Sequence, residues 1–269
     1  MKEKIGIAII TFNRQEFFEK VQASIPDYVS LYVVNTGSKY PQSIYQDRVK
    51  LHQCDKKTCV GWGKNHALRM MINDGCDHLF TMEDDVIITN PDVCKKYIKA
   101  ASVSGIWHMN FGYHGPANFK PNQYGIPNPK QIIDYGNGVE IAFNQHCVGA
   151  FSYYYKGVIK HIGYIDERFI NAWDHIEHTY RIIRNRLHPP FWWFADIADS
   201  MNYIKELASS TENTTIERTP EWLHNFKSGA EYFKRQYGCY PTQINDTPPE
   251  LALKLIENLQ KNYSREIEL

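Results

Sequence analysis

The sequence predicts an α/β protein with a mostly parallel, Rossmann-like sheet flanked by helices and a C-terminal helical extension. Short apolar runs alternate with runs of helical spacing over the first 90 residues, the pattern of βαβ units. The apolar runs are continuous, which indicates strands buried on both faces, as in parallel sheets. The more polar segment 205–269 contains helical patterns such as PPELALKLIENLQKNYSREI, which predict the extension.

The first 90 residues predict the order β-α-β-β-α-β with short connections. Predicted strands and helices are the segments 4–12 (β), 14–25 (α), 30–37 (β), 48–54 (β), 63–75 (α) and 78–83 (β). Phe18, Val21 and Ile25 recur with helical spacing in the first helix, and Gly75 is a suitable stop for the second. In such sheets ligands collect at the carboxyl ends of the strands.

The rest of the chain is less regular. Asn90 as N-cap and Pro91 in the first turn predict a helix over 90–102. A stretch rich in Gly, Pro, Asn and Tyr (105–137) predicts loops or short edge strands, which in enzymes often contact substrate. Later elements are expected as a strand in 139–156, a helix in 173–186 and a strand in 189–204.

Composition narrows the class of protein. The 269 residues include 30 basic and 30 acidic side chains, so the zero formal charge gives no general attraction to nucleic acid or anionic membranes. No apolar run approaches the roughly 20 residues of a membrane span, and the N-terminal apolar stretch is too short for a signal peptide. Six cysteines without a C-x-x-C pair predict free thiols and a cytoplasmic location.

Three consecutive carboxylates, Glu83, Asp84 and Asp85, follow the predicted strand 78–83. Adjacent like charges repel, and burying any of them unpaired is costly. One interpretation is a solvated turn after a strand. The other is a divalent cation site that holds a diphosphate, since Mg²⁺ is commonly bound by one or two carboxylates and substrate phosphates.

Five motifs in order decide between these interpretations. They are IAIITFNR, VVNTGS, GWGKNHAL, TMEDDV and the long segment YKGVIKHIGYIDERFINAWDHIEHTYRIIR. Together they resemble family-two glycosyltransferases of the GT-A fold over residues 4–200. The resemblance implies a GT-A catalytic domain of residues 1–204, with a nucleotide-sugar half of about 1–100 and an acceptor half of about 101–204. Residues 205–269 match nothing in the family.

The resemblance implies a nucleoside-diphosphate-sugar donor, UDP-sugar being expected first, and Mn²⁺ or Mg²⁺ bound through the acidic triplet. Asp85, with Glu83, would bind the metal, while Glu83 and Asp84 would face ribose and metal-bound water. The implied donor-binding residues are Thr11, Asn13, Thr36, Lys64, Asn65, Glu83 and Asp84. The family's Asp-Asp-Gly-Ser is Asn35-Thr36-Gly37-Ser38 here, so an Asp that contacts the nucleoside is missing and the base stays open.

The catalytic base comes from a different segment. Counted back from Arg181, the family's acidic motif falls on residues 174–177, which implies Asp174 as general base and Glu177 as the rival. Trp173 is the expected acceptor contact. His188, Asp196 and Asp199 are weak candidates for a third metal ligand.

Two other classes of function stay open. A nucleotidyltransferase or pyrophosphorylase also uses carboxylates and Mg²⁺, but TFNRQEFF lacks the glycine of the usual loop. A non-catalytic sugar-binding protein is disfavoured by the intact acids. The acceptor is a glycan or another hydroxyl compound. A hydroxylated base in DNA is the least favoured, resting only on Lys227, Lys234 and Arg235 among aromatics.

Overall fold

The computed structural model describes residues 2–54, 58–207 and 220–267. In chain order the helices and strands are β1 (Ile5–Thr11), α1 (Gln15–Ala23), β2 (Ser30–Asn35), β3 (Lys50–Gln53), α2 (Val60–Asn73), β4 (His78–Glu83), β5 (Val86–Ile88), α3 (Val93–Ser104), β6 (His108–Asn110), β7 (Phe119–Lys120), β8 (Gln123–Pro127), β9 (Gln131–Asp134), β10 (Glu140–Asn144), β11 (Phe151–Tyr155), α4 (Lys156–Ile162), α5 (Asp174–Arg184), β12 (Phe194–Ile197), β13 (Ile204–Glu206), α6 (Pro220–Tyr237) and α7 (Pro249–Tyr263).

The central sheet has six strands in the order β3-β2-β1-β4-β11-β6. The first four are mutually parallel, and β11 lies antiparallel to both β4 and β6. Ile10 is in register with Glu83, and Thr11 with Asn35. The carboxyl ends of β1, β2 and β4 therefore meet at one edge, and the predicted mostly parallel α/β fold is confirmed.

Close packing brings α2 to that edge. Cys59 caps the helix, because its sulfur accepts a hydrogen bond from the Trp62 backbone N–H. A Cβ on Gly63 would lie 3.0 Å from Ile10 Cγ2 and 3.3 Å from Thr36 Cγ2. Glycine at this position therefore lets the first turn of α2 approach the ends of β1 and β2.

The predicted order β-α-β-β-α-β is present, but three later boundaries were wrong. Helix α3 begins at Val93, because the Asn90 side chain accepts from the Asp92 backbone N–H (3.0 Å) in a turn before the helix. The strand expected over 139–156 is divided into β10 and β11, which belong to different sheets. The strand expected over 189–204 is reduced to β12, with β13 starting at its last residue.

The C-terminal part packs on the rest of the chain. Strand β13 crosses residue 204, where the extension was expected to begin, and pairs with β5 directly after the acidic triplet. Helix α7 packs on α3, where a Cβ on Gly105 would lie 2.2 Å from the Leu259 carbonyl oxygen. Among the described residues, none of the helices has the length and apolar character needed to cross a membrane.

Candidate active site

Asp84 is the buried member of the acidic triplet. Its carboxylate accepts hydrogen bonds from Thr11 Oγ1 (2.7 Å) and the Phe12 backbone N–H (3.3 Å), and it pairs with the Arg14 guanidinium. Burial raises its pKa to about 6 although Arg14 and Thr11 oppose the rise. Asp84 is thus fixed to the end of β1, and its oxygens are already engaged.

Asp85 faces a more open environment. Arg14 Nη2 lies 3.1 Å from its Oδ2, and His114 Nε2 lies 3.4 Å from its Oδ1. Burial opposes ionisation of Asp85, but His114 and Arg14 hold its pKa below the usual range. At 3.4 Å the imidazole contact is an ion pair without hydrogen-bond geometry, and Oδ1 has no hydrogen-bond partner in the described ranges. That oxygen is available to a ligand.

Glu83 is paired with a buried lysine. Lys64 Nζ donates to Glu83 Oε1 (2.8 Å) and to the Gly149 carbonyl oxygen (2.9 Å). Burial alone would lower the lysine pKa, but Glu83 and Asp174 raise it above its ordinary value. Lys64 is therefore a fixed cation between two sets of carboxylates.

Asp174 begins α5 and lies beside the first turn of α2. A Cβ on Gly61 would be 3.6 Å from Asp174 Cβ. The Asp174 side chain is 4% exposed, its Oδ1 lies 3.6 Å from His175 Nδ1, and its Oδ2 has no hydrogen-bond partner among residues 2–54, 58–207 and 220–267. Burial disfavours the charge, but His175 and Lys64 lower the pKa to about 2. Asp174 is thus an ionised carboxylate with a vacant acceptor oxygen.

Glu177, one turn along α5, differs from Asp174 in its partners. It accepts from Arg181 Nε (2.6 Å), Arg181 Nη2 (3.0 Å) and the Tyr237 hydroxyl (2.5 Å). Trp173 has φ 68° at the helix start, and its indole N–H donates to the Phe226 carbonyl oxygen (2.8 Å). Both side chains connect α5 with α6.

A cavity of about 300 Å³ lies at the carboxyl edge of the sheet. It is lined by Ile10, Thr11, Phe12, Arg14, Thr36, Thr58, Val60, Glu83, Asp84, Asn171, Glu221, Trp222 and Asn225. Of the predicted donor-binding residues, Thr11, Thr36, Glu83 and Asp84 line it. The cavity is closed on one side by α6, which belongs to the segment without family resemblance.

Two predicted donor-binding residues have their side chains engaged elsewhere. Asn13 Oδ1 accepts from the Ser38 backbone N–H (2.7 Å). Asn65 bonds both the N–H (2.8 Å) and the carbonyl (2.8 Å) of Ile165 and also donates to Glu167 (2.8 Å). These contacts join loops at the sheet edge, so either residue would support a donor by holding those loops.

Arg14, His114 and Asn171 belong to the site but were missed from the sequence. Arg14 was quoted within a motif, yet nothing local showed that it pairs with carboxylates 70 residues away. His114 lies in a long loop with no motif. Asn171, with φ 54°, accepts from the Val60 backbone N–H (2.9 Å), and only this tertiary contact gives it a role.

The three candidates for a third metal ligand make their contacts with residues outside the acidic triplet. His188 donates through Nδ1 to the Pro189 carbonyl oxygen (2.8 Å), Asp196 accepts from Tyr97 (2.5 Å) and Gly112 (3.0 Å), and Asp199 pairs with Lys96 (3.0 Å). Within the described part of the chain, no three His, Cys, Asp or Glu side chains form a group that could hold a metal ion by themselves.

Solved structures match this chain at low sequence identity. No protein-family model matches it, and no curated protein matches its sequence. One structure of S. aureus TarS superposes with a TM-score of 0.54 at 16% identity over 89% of this chain and 44% of TarS. A second TarS structure, in complex with UDP-GlcNAc, gives 0.52 at 14% identity, with coverage of 89% and 74%. This chain thus spans less than half of the first TarS chain.

Two further glycosyltransferases give similar agreement. The mannosyltransferase PcManGT from Pyrobaculum calidifontis, with GDP-Man and Mn²⁺, has a TM-score of 0.51 at 11% identity over 98% of this chain and 71% of that one. GalNAc-T7 with UDP, GalNAc and Mn²⁺ has 0.57 at 8% identity, over 96% and 54%. The chain has the GT-A fold.

Proposed function

We propose that this protein is a metal-dependent, inverting glycosyltransferase that moves a sugar from a nucleoside-diphosphate-sugar, UDP-sugar first, to an acceptor hydroxyl. One observation carries the proposal: buried Lys64 pairs with Glu83, which lines the cavity at the carboxyl edge of the sheet together with Asp84, and the same lysine interacts with the buried carboxylate of Asp174 from a distant segment. The solved structures with the same fold support it, since they contain UDP-GlcNAc, GDP-Man or UDP.

A divalent cation fits the acidic side of this site. Asp85 Oδ1 forms an ion pair with His114 but has no hydrogen bond within the described part of the chain, and oxygen is the ligand that Mg²⁺ and Mn²⁺ prefer. Asp85 would hold the ion, with Glu83 beside it and diphosphate oxygens completing the shell. Bound Mn²⁺ or Mg²⁺ would stabilise the negative charge that develops on the leaving diphosphate.

Asp174 is the proposed general base. As the acceptor oxygen bonds to the anomeric carbon, the bond from that carbon to the diphosphate oxygen breaks, and its electron pair leaves with the nucleoside diphosphate. The hydroxyl proton passes to Asp174 Oδ2, to which no side chain or backbone N–H of the described residues donates a hydrogen bond. Attack opposite the leaving group inverts the anomeric configuration.

The other site residues support this step. Lys64 pairs with Glu83 and, together with His175, lowers the pKa of Asp174, and Trp173 beside the base is proposed to contact the acceptor. Lys234 and Arg235 of α6 lie over the rings of Tyr240 and Tyr232, respectively, outside the cavity lining. DNA as acceptor is not supported.

The test is a sugar-transfer assay on a panel of nucleotide-sugars with Mn²⁺ or EDTA, together with calorimetric donor binding. Asp174→Asn should bind donor and lose about 10²–10⁴-fold in transfer rate. Asp85→Asn should lose metal-dependent nucleotide binding. Asp92→Asn, which changes an exposed carboxylate at the start of α3, is the matched control. Absence of transfer from every donor, or full activity of Asp174→Asn, would refute the proposal.

A further inference from the structure

The cavity has two chemically different ends. Because β2 and β4 flank β1, groups at their carboxyl ends are about 10 Å apart, twice the spacing of neighbouring strands. The end near β4 carries the charged groups Arg14, Glu83 and Asp84. Thr36 follows β2, and the lining away from the β4 carboxylates continues with Thr58 and with Glu221, Trp222 and Asn225 of α6.

Two polar groups in this part of the lining lack hydrogen-bond partners among the described residues. Thr58 Oγ1 is buried without a hydrogen bond. Asn225 is 9% exposed, and its carboxamide makes no hydrogen bond to any described residue, although its backbone carbonyl accepts from Ser228. A buried polar group without a partner costs about 1–3 kcal/mol, and this cost applies to the Thr58 hydroxyl. The Asn225 side chain is part of the cavity lining, so a ligand in the cavity can meet its amide.

Helix α6 holds Asn225 rigidly in place. The next residue, Phe226, packs against Trp173 with the rings tilted by 38° and 4.4 Å between their centroids. One turn on, Gly229 allows the same contact, since a Cβ there would lie 3.0 Å from Trp173 Cδ1. At the far end of the helix Tyr237 donates to Glu177. The position of Asn225 is therefore set by α5, which also carries the proposed base.

The side chain of Asn35, the last residue of β2, is not available as such a group. Asn35 occupies the position where the resemblance places a nucleoside-binding acid, but its side chain is used internally. Its Oδ1 accepts from the Gly37 backbone N–H (2.9 Å), and its Nδ2 donates to the Ser38 carbonyl oxygen (2.9 Å). Another residue must supply polar contacts to a base bound at this end.

We propose that Asn225 of α6 recognises the nucleobase of the donor, with Trp222 on the same wall contacting its ring. This inference rests on the proposed function. A carboxamide presents one acceptor and two donors, which match the adjacent N3–H donor and O4 acceptor of uracil. The diphosphate then extends toward Asp85, about two strand spacings away. Helix α6 thus makes base recognition a property of the C-terminal extension.

The experiment compares ligands with and without a base. Calorimetry in Mn²⁺ measures binding of UDP and of inorganic pyrophosphate to wild type, Asn225→Ala, Asn225→Leu and the control His224→Ala, an exposed neighbour on α6. Both Asn225 variants should bind UDP about tenfold more weakly, the equivalent of about 1.4 kcal/mol, and pyrophosphate with unchanged affinity. The control should match wild type for both ligands.

Two results would overturn the inference while leaving the proposed function intact: UDP affinity unchanged in both Asn225 variants, or UDP and pyrophosphate affinities reduced by the same factor. The second result would indicate that Asn225 maintains the site as a whole. A wild-type protein that binds no nucleotide would overturn the proposed function and the inference together. Thermal unfolding of the ligand-free variants identifies any loss of fold.

Discussion

Tyr237 donates a hydrogen bond of 2.5 Å to Glu177 and so ties the last turn of α6 to the first turn of α5. Arg181 adds two hydrogen bonds to the same carboxylate. All of these donors approach a side chain that is 1% exposed. Glu177 therefore has little capacity left to accept a proton from a substrate, in contrast to Asp174.

Glu177→Gln should therefore impair stability more than chemistry. The amide cannot accept from every donor that meets the carboxylate, so we expect a loss of about 1–3 kcal/mol in the free energy of unfolding. Transfer at a temperature where the variant is folded should fall far less than in Asp174→Asn. Urea denaturation and single-turnover assays of both variants measure this, with Tyr237→Phe as a control that removes one hydrogen bond. A stable but inactive Glu177→Gln would move the base one turn along the helix.

Lys64→Met tests the buried cation. The change leaves Glu83 without its ion pair and the Gly149 carbonyl without its donor. Because the Glu83 side chain is 28% exposed and water can reach it, we expect a moderate loss of about 1–3 kcal/mol in unfolding free energy. Donor binding should weaken as well, since the carboxylates lose a neighbouring cation. Equilibrium urea denaturation checks the first effect and calorimetry the second. Lys20→Met on the exposed face of α1 is the control, and equal stability of the two variants would contradict the prediction.

Arg14 should compete with the metal ion that we propose for the acidic triplet. Its guanidinium pairs with both Asp84 and Asp85, so a cation that binds Asp85 must share or displace it. Arg14→Gln should therefore bind Mn²⁺ more tightly, by about three- to tenfold, and should be less stable than wild type without metal. Calorimetry with MnCl₂ alone and ligand-free thermal unfolding measure the two effects. Unchanged or weaker Mn²⁺ binding would show that Arg14 does not occupy the cation position.

The local pattern of the sequence was sufficient for the first half of the fold. Continuous apolar strands such as β1 and β2 can only be buried in a covered sheet, and helical spacing identified α1 and α2 between them. The later half was harder to predict because tertiary contacts decide its boundaries. The segment 139–156 has strand character on both sides of a polar Asn-Gln-His stretch, and the chain turns at 145–150 so that β10 joins β12 and β11 joins β4.

The residues of the candidate site also fall into two groups: those that the sequence indicates and those that only tertiary contacts reveal. The sequence was enough to single out the acidic residues, because their residue type and spacing form recognisable motifs. These residues are Glu83, Asp84, Asp85 and Asp174. Asn225 belongs to no such motif, because a single Asn in a polar helix resembles any solvated residue. Its importance appears only when α6 is placed over the cavity by contacts with Trp173 and Glu177.

The burial and lowered pKa of His178 predict how the free energy of unfolding depends on pH. The side chain is fully buried, its Nε2 donates to the Gly163 carbonyl oxygen (3.0 Å), and its Nδ1 has no partner in the described part of the chain. Burial, aided by Arg181 and opposed by Asp174, lowers its pKa to about 3.

Because the unfolded histidine has a pKa of about 6.5, its contribution to stability is complete above that pH. The contribution is lost as the pH falls from 6.5 toward 3, where the unfolded state binds a proton that the folded state excludes. Between pH 7.5 and 5 the expected loss from this group is about 2 kcal/mol. His178→Gln keeps a donor for Gly163 but cannot titrate. Urea denaturation at both pH values should therefore show a smaller acid-induced loss in the variant than in wild type, by about that amount. Equal losses in the two proteins would mean that His178 is protonated in the folded state, despite its burial beside Arg181.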